Sequence, residues 1–124
     1  MLQGIAIASG GALGALMRFW LSGWTYQVFG RAFPYGTLMV NVLGSLLMGF
    51  LFVWLTERAA LPAEWRALIL VGFLGSLTTF STFSMETMSL IQGGEAGKAL
   101  LNVVLSVVIC LAATWLGIIT GRQL

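Results

Sequence analysis

Apolar residues in this chain of 124 gather into four long stretches, with no period-two alternation to suggest strands. Residues 2–20 are interrupted only by Arg18, near the end of the stretch, and residues 36–56 carry no charge. Residues 68–91 contain a polar break and Glu86, and residues 99–121 are again uncharged. Each stretch approaches or exceeds the roughly 20 residues needed to cross about 30 Å of hydrocarbon. The pattern predicts transmembrane helices over about 2–20, 36–56, 68–91 and 99–121. The connections are short and polar: 22–35 holds glycine, Arg31 and Pro34, 57–66 holds Glu57, Arg58, Pro62, Glu64 and Arg66, and 92–97 is a Gly-Gly turn. Trp20, Trp24, Tyr26, Trp54 and Trp65 fall at predicted helix ends, where aromatic rings settle among lipid headgroups, while Trp115 lies deeper. The expectation is an all-α membrane protein, with residues 1–124 forming a single four-helix domain.

The third stretch departs from this pattern. From Gly72 it reads Gly-Phe-Leu-Gly-Ser-Leu-Thr-Thr-Phe-Ser-Thr-Phe-Ser, placing two glycines and six hydroxyls near the middle of a span. Lipid offers no partner for a free backbone N–H or C=O, so irregular backbone survives there only where it lines a cavity or is buried in protein. Broken helices at the midplane are also where half-helix ends and unwound carbonyls meet ions. A broken third helix with an ion site is therefore expected.

Composition narrows the function further. The chain is 59% hydrophobic and 8% charged, has no histidine, and has a mean hydropathy of +0.98. Soluble domains carry about 25% charged residues, so this surface belongs in a lipid bilayer. The net charge of +2 comes from basic residues scattered over helix ends, which argues against a nucleic-acid partner. There is no nucleotide-binding loop, no Cys/His metal cluster and no nucleophile–base pair, so the chain is not expected to be an enzyme. Cys110 reads as a small apolar filler. The first helix lacks a basic n-region and is expected to be retained. With four helices, Arg58, Arg66 and Arg122 fall on the side of the termini, and Arg18, Arg31 and Lys98 on the other. Three against three removes the bias that normally orients a small membrane protein. With so few charges chance can produce such a tie; otherwise copies insert both ways and pair about a two-fold axis in the membrane plane.

Polar residues at helical spacing suggest which faces meet. Thr37, Asn41, Ser45 and Gly49 recur every four residues, as do Asn102, Ser106, Cys110 and Thr114. Gly10 with Gly14, and Gly11 with Ala15, form small-xxx-small pairs suited to close helix packing. Phe80 and Phe83, three apart on one face, ordinarily read as core packing. Set among hydroxyls, their electropositive ring edges can instead approach an anion without trapping it. Arg18 either snorkels to the interface or draws anions toward a vestibule. Glu86, a turn beyond Phe83, is either a vestibule hydrogen-bonding group or a carboxylate reaching water.

Three stretches resemble the small bacterial fluoride channels called Fluc or CrcB: Gly-Gly-Ala-Leu-Gly-Ala-Leu-Met-Arg at 10–18, Gly-Thr-Leu-Met-Val-Asn-Val-Leu-Gly at 36–44, and 72–83 with its Thr-Thr-Phe-Ser-Thr-Phe core. Ser76 stands where that family often has a second glycine, and the fourth helix carries the weakest signature. The resemblance implies an antiparallel, dual-topology homodimer with two fluoride pores, and a structural sodium ion at the dimer centre held by the backbone carbonyls of Gly75 and Thr78. It implies Phe80 and Phe83 as the phenylalanine pair of each pore and Asn41 as a hydrogen-bond donor to fluoride. It further implies that Ser81, Thr82, Asn102 and Ser106 form a polar track that Thr114 extends, and it is consistent with Arg18 in a vestibule, where Glu86 is the second candidate.

The function implied is passive, selective export of fluoride across the bacterial plasma (inner) membrane. HF crosses lipid and releases its proton inside, and a pore then lets the trapped anion leave down its gradient. Two other classes remain. A small proton-coupled multidrug exporter also uses four helices and opposed dimers, but needs a membrane-embedded carboxylate, typically in its first helix, where this chain has none. A non-transporting assembly subunit is the third.

Overall fold

The computed structural model describes residues 1–124 and is entirely helical. Helix α1 is Leu2–Phe29, and α2 is Tyr35–Arg58, whose last turn, Trp54–Arg58, is widened to π-type bonding. The third span, Ala63–Gln92, comprises α3 (residues 63–77, with a π-type stretch at Ala67–Leu74) and α4 (Phe80–Gln92). Helix α5 is Ala96–Gln123. Four spans are thus long and apolar enough to cross a membrane.

The first span is longer than the hydrophobic pattern suggests. Residues 22–29, read as part of a surface loop, continue α1 for two more turns. Nothing in that segment breaks a helix, and Ser22 and Thr25 return their hydroxyls to the carbonyls of Arg18 and Leu21 at 2.6 and 2.8 Å. The stop comes at Gly30, whose φ of 85° lies in the left-handed region open to glycine. Trp24 consequently lies within α1, while Tyr26 is in its last turn, its carbonyl accepting the Gly30 N–H. The expected Gly-Gly turn forms between α4 and α5, where Gly94 takes φ 80°.

Packing pairs α1 with α3 and α2 with α5, and glycine permits both contacts. A Cβ on Gly10 or Gly14 would collide with the backbone carbonyls of Leu68 and Phe73, and one on Gly49 or Gly117 with those of Thr114 and Leu46. Close backbone approach of this kind is how membrane helices gain contact when hydrophobicity does not separate them from lipid. A bulky side chain must push whole helices apart. Gly117→Val should therefore destabilise the fold by about 3 kcal/mol, measured by thermal unfolding in detergent, whereas the same change at Gly97, with open space around it, should leave stability unaltered.

At the ends of the bundle, the exposed Arg122–Glu57 ion pair (3.8 Å) and the bond from Arg58 to the Arg122 carbonyl tie α2 to α5. At the other end Lys98 donates to the Ala32 carbonyl at 3.2 Å and pairs with Glu95. Large apolar side chains line the outside along every span, as lipid requires.

Candidate functional site

The site is built where the third span changes course. Thr78 (φ −87°, ψ 158°) and Thr79 (φ −152°, ψ 123°) are extended between Leu77 and Phe80. Thr79 caps α4, its hydroxyl accepting the Thr82 N–H at 3.2 Å and lying 3.2 and 3.3 Å from the hydroxyls of Ser81 and Thr82. In an uninterrupted helix the Thr79 N–H would go to the Gly75 carbonyl. Here it goes to Asn41 Oδ1 at 2.8 Å, while Asn41 Nδ2 donates to the Thr79 carbonyl at 3.0 Å. One residue beyond Gly75, the Ser76 carbonyl accepts from Arg18 Nε at 3.0 Å. Side chains from α1 and α2 thus occupy both sides of the junction.

Beside this junction lies an open groove of about 310 Å³ between α2, α4 and α5. Asn41, Ser45, Thr78, Thr79, Ser106 and Cys110 supply its polar atoms, and Phe80, Phe83, Met48 and Val107 its apolar wall, with Gly44 completing the lining. The two phenylalanine rings lie 5.3 Å apart and tilted by 43°. Phe80 is 78% exposed, facing outward from the single chain. No charged side chain lines the groove. It can solvate an anion through hydroxyls, an amide and ring edges, and it has no fixed charge to hold one.

Of the residues expected in a pore, Asn41, Phe80, Phe83 and Ser106 share this groove. The others lie around it. Ser81 is exposed and Thr82 sits in the first turn of α4, both near the Thr79 hydroxyl. Asn102 is buried between α5 and α4, donating to Thr87 Oγ1 at 2.9 Å and accepting from Ser106 at 3.4 Å. Thr114 donates to the Ser45 carbonyl at 3.2 Å, joining α5 to α2. Gly75 and Thr78 flank the start of the junction, and the Thr78 hydroxyl returns to the Leu74 carbonyl at 3.2 Å.

The two charged candidates both make hydrogen bonds to other parts of the chain. Arg18 lies eleven residues before the end of α1, about 16 Å along the axis. Its guanidinium turns inward to Ser76 and does not snorkel. Arg18 therefore leaves the loop charges at three on the side of the termini and two, Arg31 and Lys98, on the other. Glu86 is half-buried. Its Oε2 accepts from Tyr26 OH at 2.7 Å, and its Oε1 is buried without a partner. A second cavity of about 210 Å³ gathers Tyr26, Arg31, Glu86, Ser89 and Glu95, with the Arg31 guanidinium 4.5 Å from the Tyr26 ring centre.

Sequence reasoning passed over Thr79, Ser45, Thr87 and Tyr26 as site residues. Thr79 was visible as one of six hydroxyls in the break, but its backbone role depends on a partner from another helix. Ser45 was visible in the α2 polar stripe as the turn after Asn41. Tyr26 was masked by its resemblance to an interfacial aromatic.

A model of the family described as "CrcB-like protein, Camphor Resistance (CrcB)" matches residues 5–118. The chain is 60% identical to the "Fluoride-specific ion channel FluC" of Methylococcus capsulatus over 96% of its own length and 52% of that relative's. It is 52% identical to the protein of the same name from Geobacter metallireducens over the whole of both chains. It is also 49% identical to that of Coxiella burnetii over 97% of this chain and 98% of the other. The chain thus spans about half the length of the Methylococcus relative and all of the Geobacter one.

Proposed function

The chain belongs to the CrcB-like family, and from that premise we propose that it is a channel conducting fluoride passively out of the cell across the bacterial inner membrane. It is a transporter and not an enzyme. The observation that carries the reading is the uncharged groove lined by the Phe80–Phe83 pair together with Asn41 and Ser106. Fluoride is small and strongly hydrated, so a pore must replace several water contacts. Hydroxyl and amide donors do so at one side, and the positive rim of an aromatic ring does so at the other. Release requires that no single contact be too strong, which a buried arginine in the groove would violate.

The functional unit is an antiparallel homodimer. Phe80 turns outward from its own chain, so a second copy is needed to enclose the groove, and the near-balance of loop charges supports insertion in both orientations. Ser81, Thr82, Asn102 and Thr114 extend the polar surface beside the phenylalanines, with Arg18 and Glu86 toward the pore mouths.

Gly75 and Thr78 fit a sodium ion. The Gly75 carbonyl has lost its helical donor to Asn41, and Thr78 is extended. Backbone carbonyls are hard oxygen donors suited to a hard cation. Bound there, sodium would stabilise the junction of opposed copies without moving. Removing it should lower fluoride flux or dimer stability. If flux and dimerisation, followed by ion-selective electrode and size-exclusion chromatography, are unchanged after exhaustive sodium removal, the Gly75–Thr78 site is wrong.

The defining experiment is fluoride efflux from liposomes containing only the purified protein. Efflux driven by the fluoride gradient alone, with chloride retained, is expected. Absence of efflux from a folded preparation, or transport only of organic cations against a proton gradient, would overturn the reading.

A further inference from the structure

The two bonds between Asn41 and Thr79 suggest that this side chain does more than line the groove. The Thr79 N–H can only donate and its carbonyl can only accept, so the carboxamide has one orientation, Oδ1 to N–H and Nδ2 to C=O. We propose that Asn41 is a positioning residue that holds the third span open by taking the Thr79 N–H away from the Gly75 carbonyl.

A backbone N–H at membrane depth must find an acceptor. Two are within the chain's reach here: the Gly75 carbonyl, which would continue α3 through the junction, and Asn41 Oδ1, which keeps Thr79 extended. Asn41 wins because it offers a second bond in return, accepted by the Thr79 carbonyl. Gly44, one helical turn further along α2, lets the two elements come this close: a Cβ there would strike Thr78 Cγ2. The consequence for the groove is direct. Phe80 follows Thr79 immediately, so a junction that zips into continuous helix re-aims Phe80 and withdraws the Gly75 carbonyl together. One Nδ2 proton is committed to Thr79 and the other is left over, so a part in contacting the permeant ion is compatible with the clamp.

The proposal concerns the same groove but is read without any permeant ion, so its failure and that of fluoride conduction are separable. In the intact wild-type protein, NMR of the Asn41 side chain in fluoride-free buffer should show two inequivalent amide protons, one exchanging roughly tenfold more slowly than the other. Equal, fast exchange of both would overturn the clamp. With carbon-13 placed in the Gly75 carbonyl, Asn41→Leu should move its infrared amide band to that of a helical hydrogen-bonded carbonyl. Asn41→Gln, which keeps both an acceptor for the Thr79 N–H and a donor for its carbonyl, should leave more of that band in place than Asn41→Leu does. A folded Asn41→Leu protein whose Gly75 band matches wild type would sink the proposal. If Asn41→Leu does not fold, the wild-type exchange measurement decides by itself.

Discussion

Replacing Phe83 with isoleucine is expected to lower fluoride flux by roughly tenfold or more while leaving a folded protein, and Phe80→Ile should act alike, because apolar bulk is kept and only the electropositive ring edge is lost. The two rings are 5.3 Å apart on the wall of a groove without charged side chains. Few other groups there can face an anion from the apolar side, so the loss is not easily compensated. Phe83→Tyr, which keeps an aromatic rim, should be milder. The measurement is initial efflux rate from liposomes at matched protein content, with size-exclusion elution as the folding control. If the isoleucine variants conduct as wild type, the phenylalanines are packing residues and the pathway lies elsewhere. A purely structural role would instead lower flux only in step with loss of the assembled protein.

A second large effect is expected from charge. Arg58, Arg66 and Arg122 lie at one end of the bundle and Arg31 and Lys98 at the other, a difference of one that leaves orientation nearly unbiased. Two lysines added to the 57–66 connection raise that difference to three, which should place every copy with its termini in the cytoplasm. Opposed pairs then cannot form, and fluoride resistance of cells relying on this protein should collapse. Coexpression with a second version carrying four extra lysines beside Arg31, which makes the difference three in the other direction, should restore it, since the two versions insert oppositely. Growth in fluoride checks the outcome, with cysteine accessibility reporting orientation. Full resistance from either biased version alone would rule out the antiparallel dimer. The position of Arg18 sharpens this experiment. Counted as a helix-end charge it makes the tie complete; bonded to Ser76 inside the bundle it leaves a small preference that the added lysines reinforce.

Much of the fold was legible because lipid imposes simple demands. Uncharged stretches of about 20 residues can hardly do anything but span, and the spans Tyr35–Arg58 and Ala96–Gln123 agree closely with the hydrophobic pattern. The small-residue pairs in α1 pointed to a packed face, and Gly10 and Gly14 indeed press against the backbone of α3. The end of α1 was less legible. Hydropathy reports where lipid stops, whereas the helix continues until Gly30 because Ser22 and Thr25 can satisfy themselves on the preceding turn.

The site divides along the same line. Residue types alone determined that the third span is polar at its centre and that the groove chemistry is hydroxyl, amide and aromatic. Tertiary structure decided which of those groups work together. Asn102 and Thr114 sit in the same sequence stripe as Ser106, yet one bonds to Thr87 and the other to the Ser45 carbonyl, because neighbouring helices offer different partners at each level. Arg18 faces Ser76, 58 residues away, and Tyr26 faces Glu86, 60 residues away. The junction itself turns on a choice made by one N–H, between a carbonyl four residues back and a carboxamide 38 residues away. The first acceptor is written into every helix; the second exists only once α2 has packed against the break, which is why no local reading of the chain could place it.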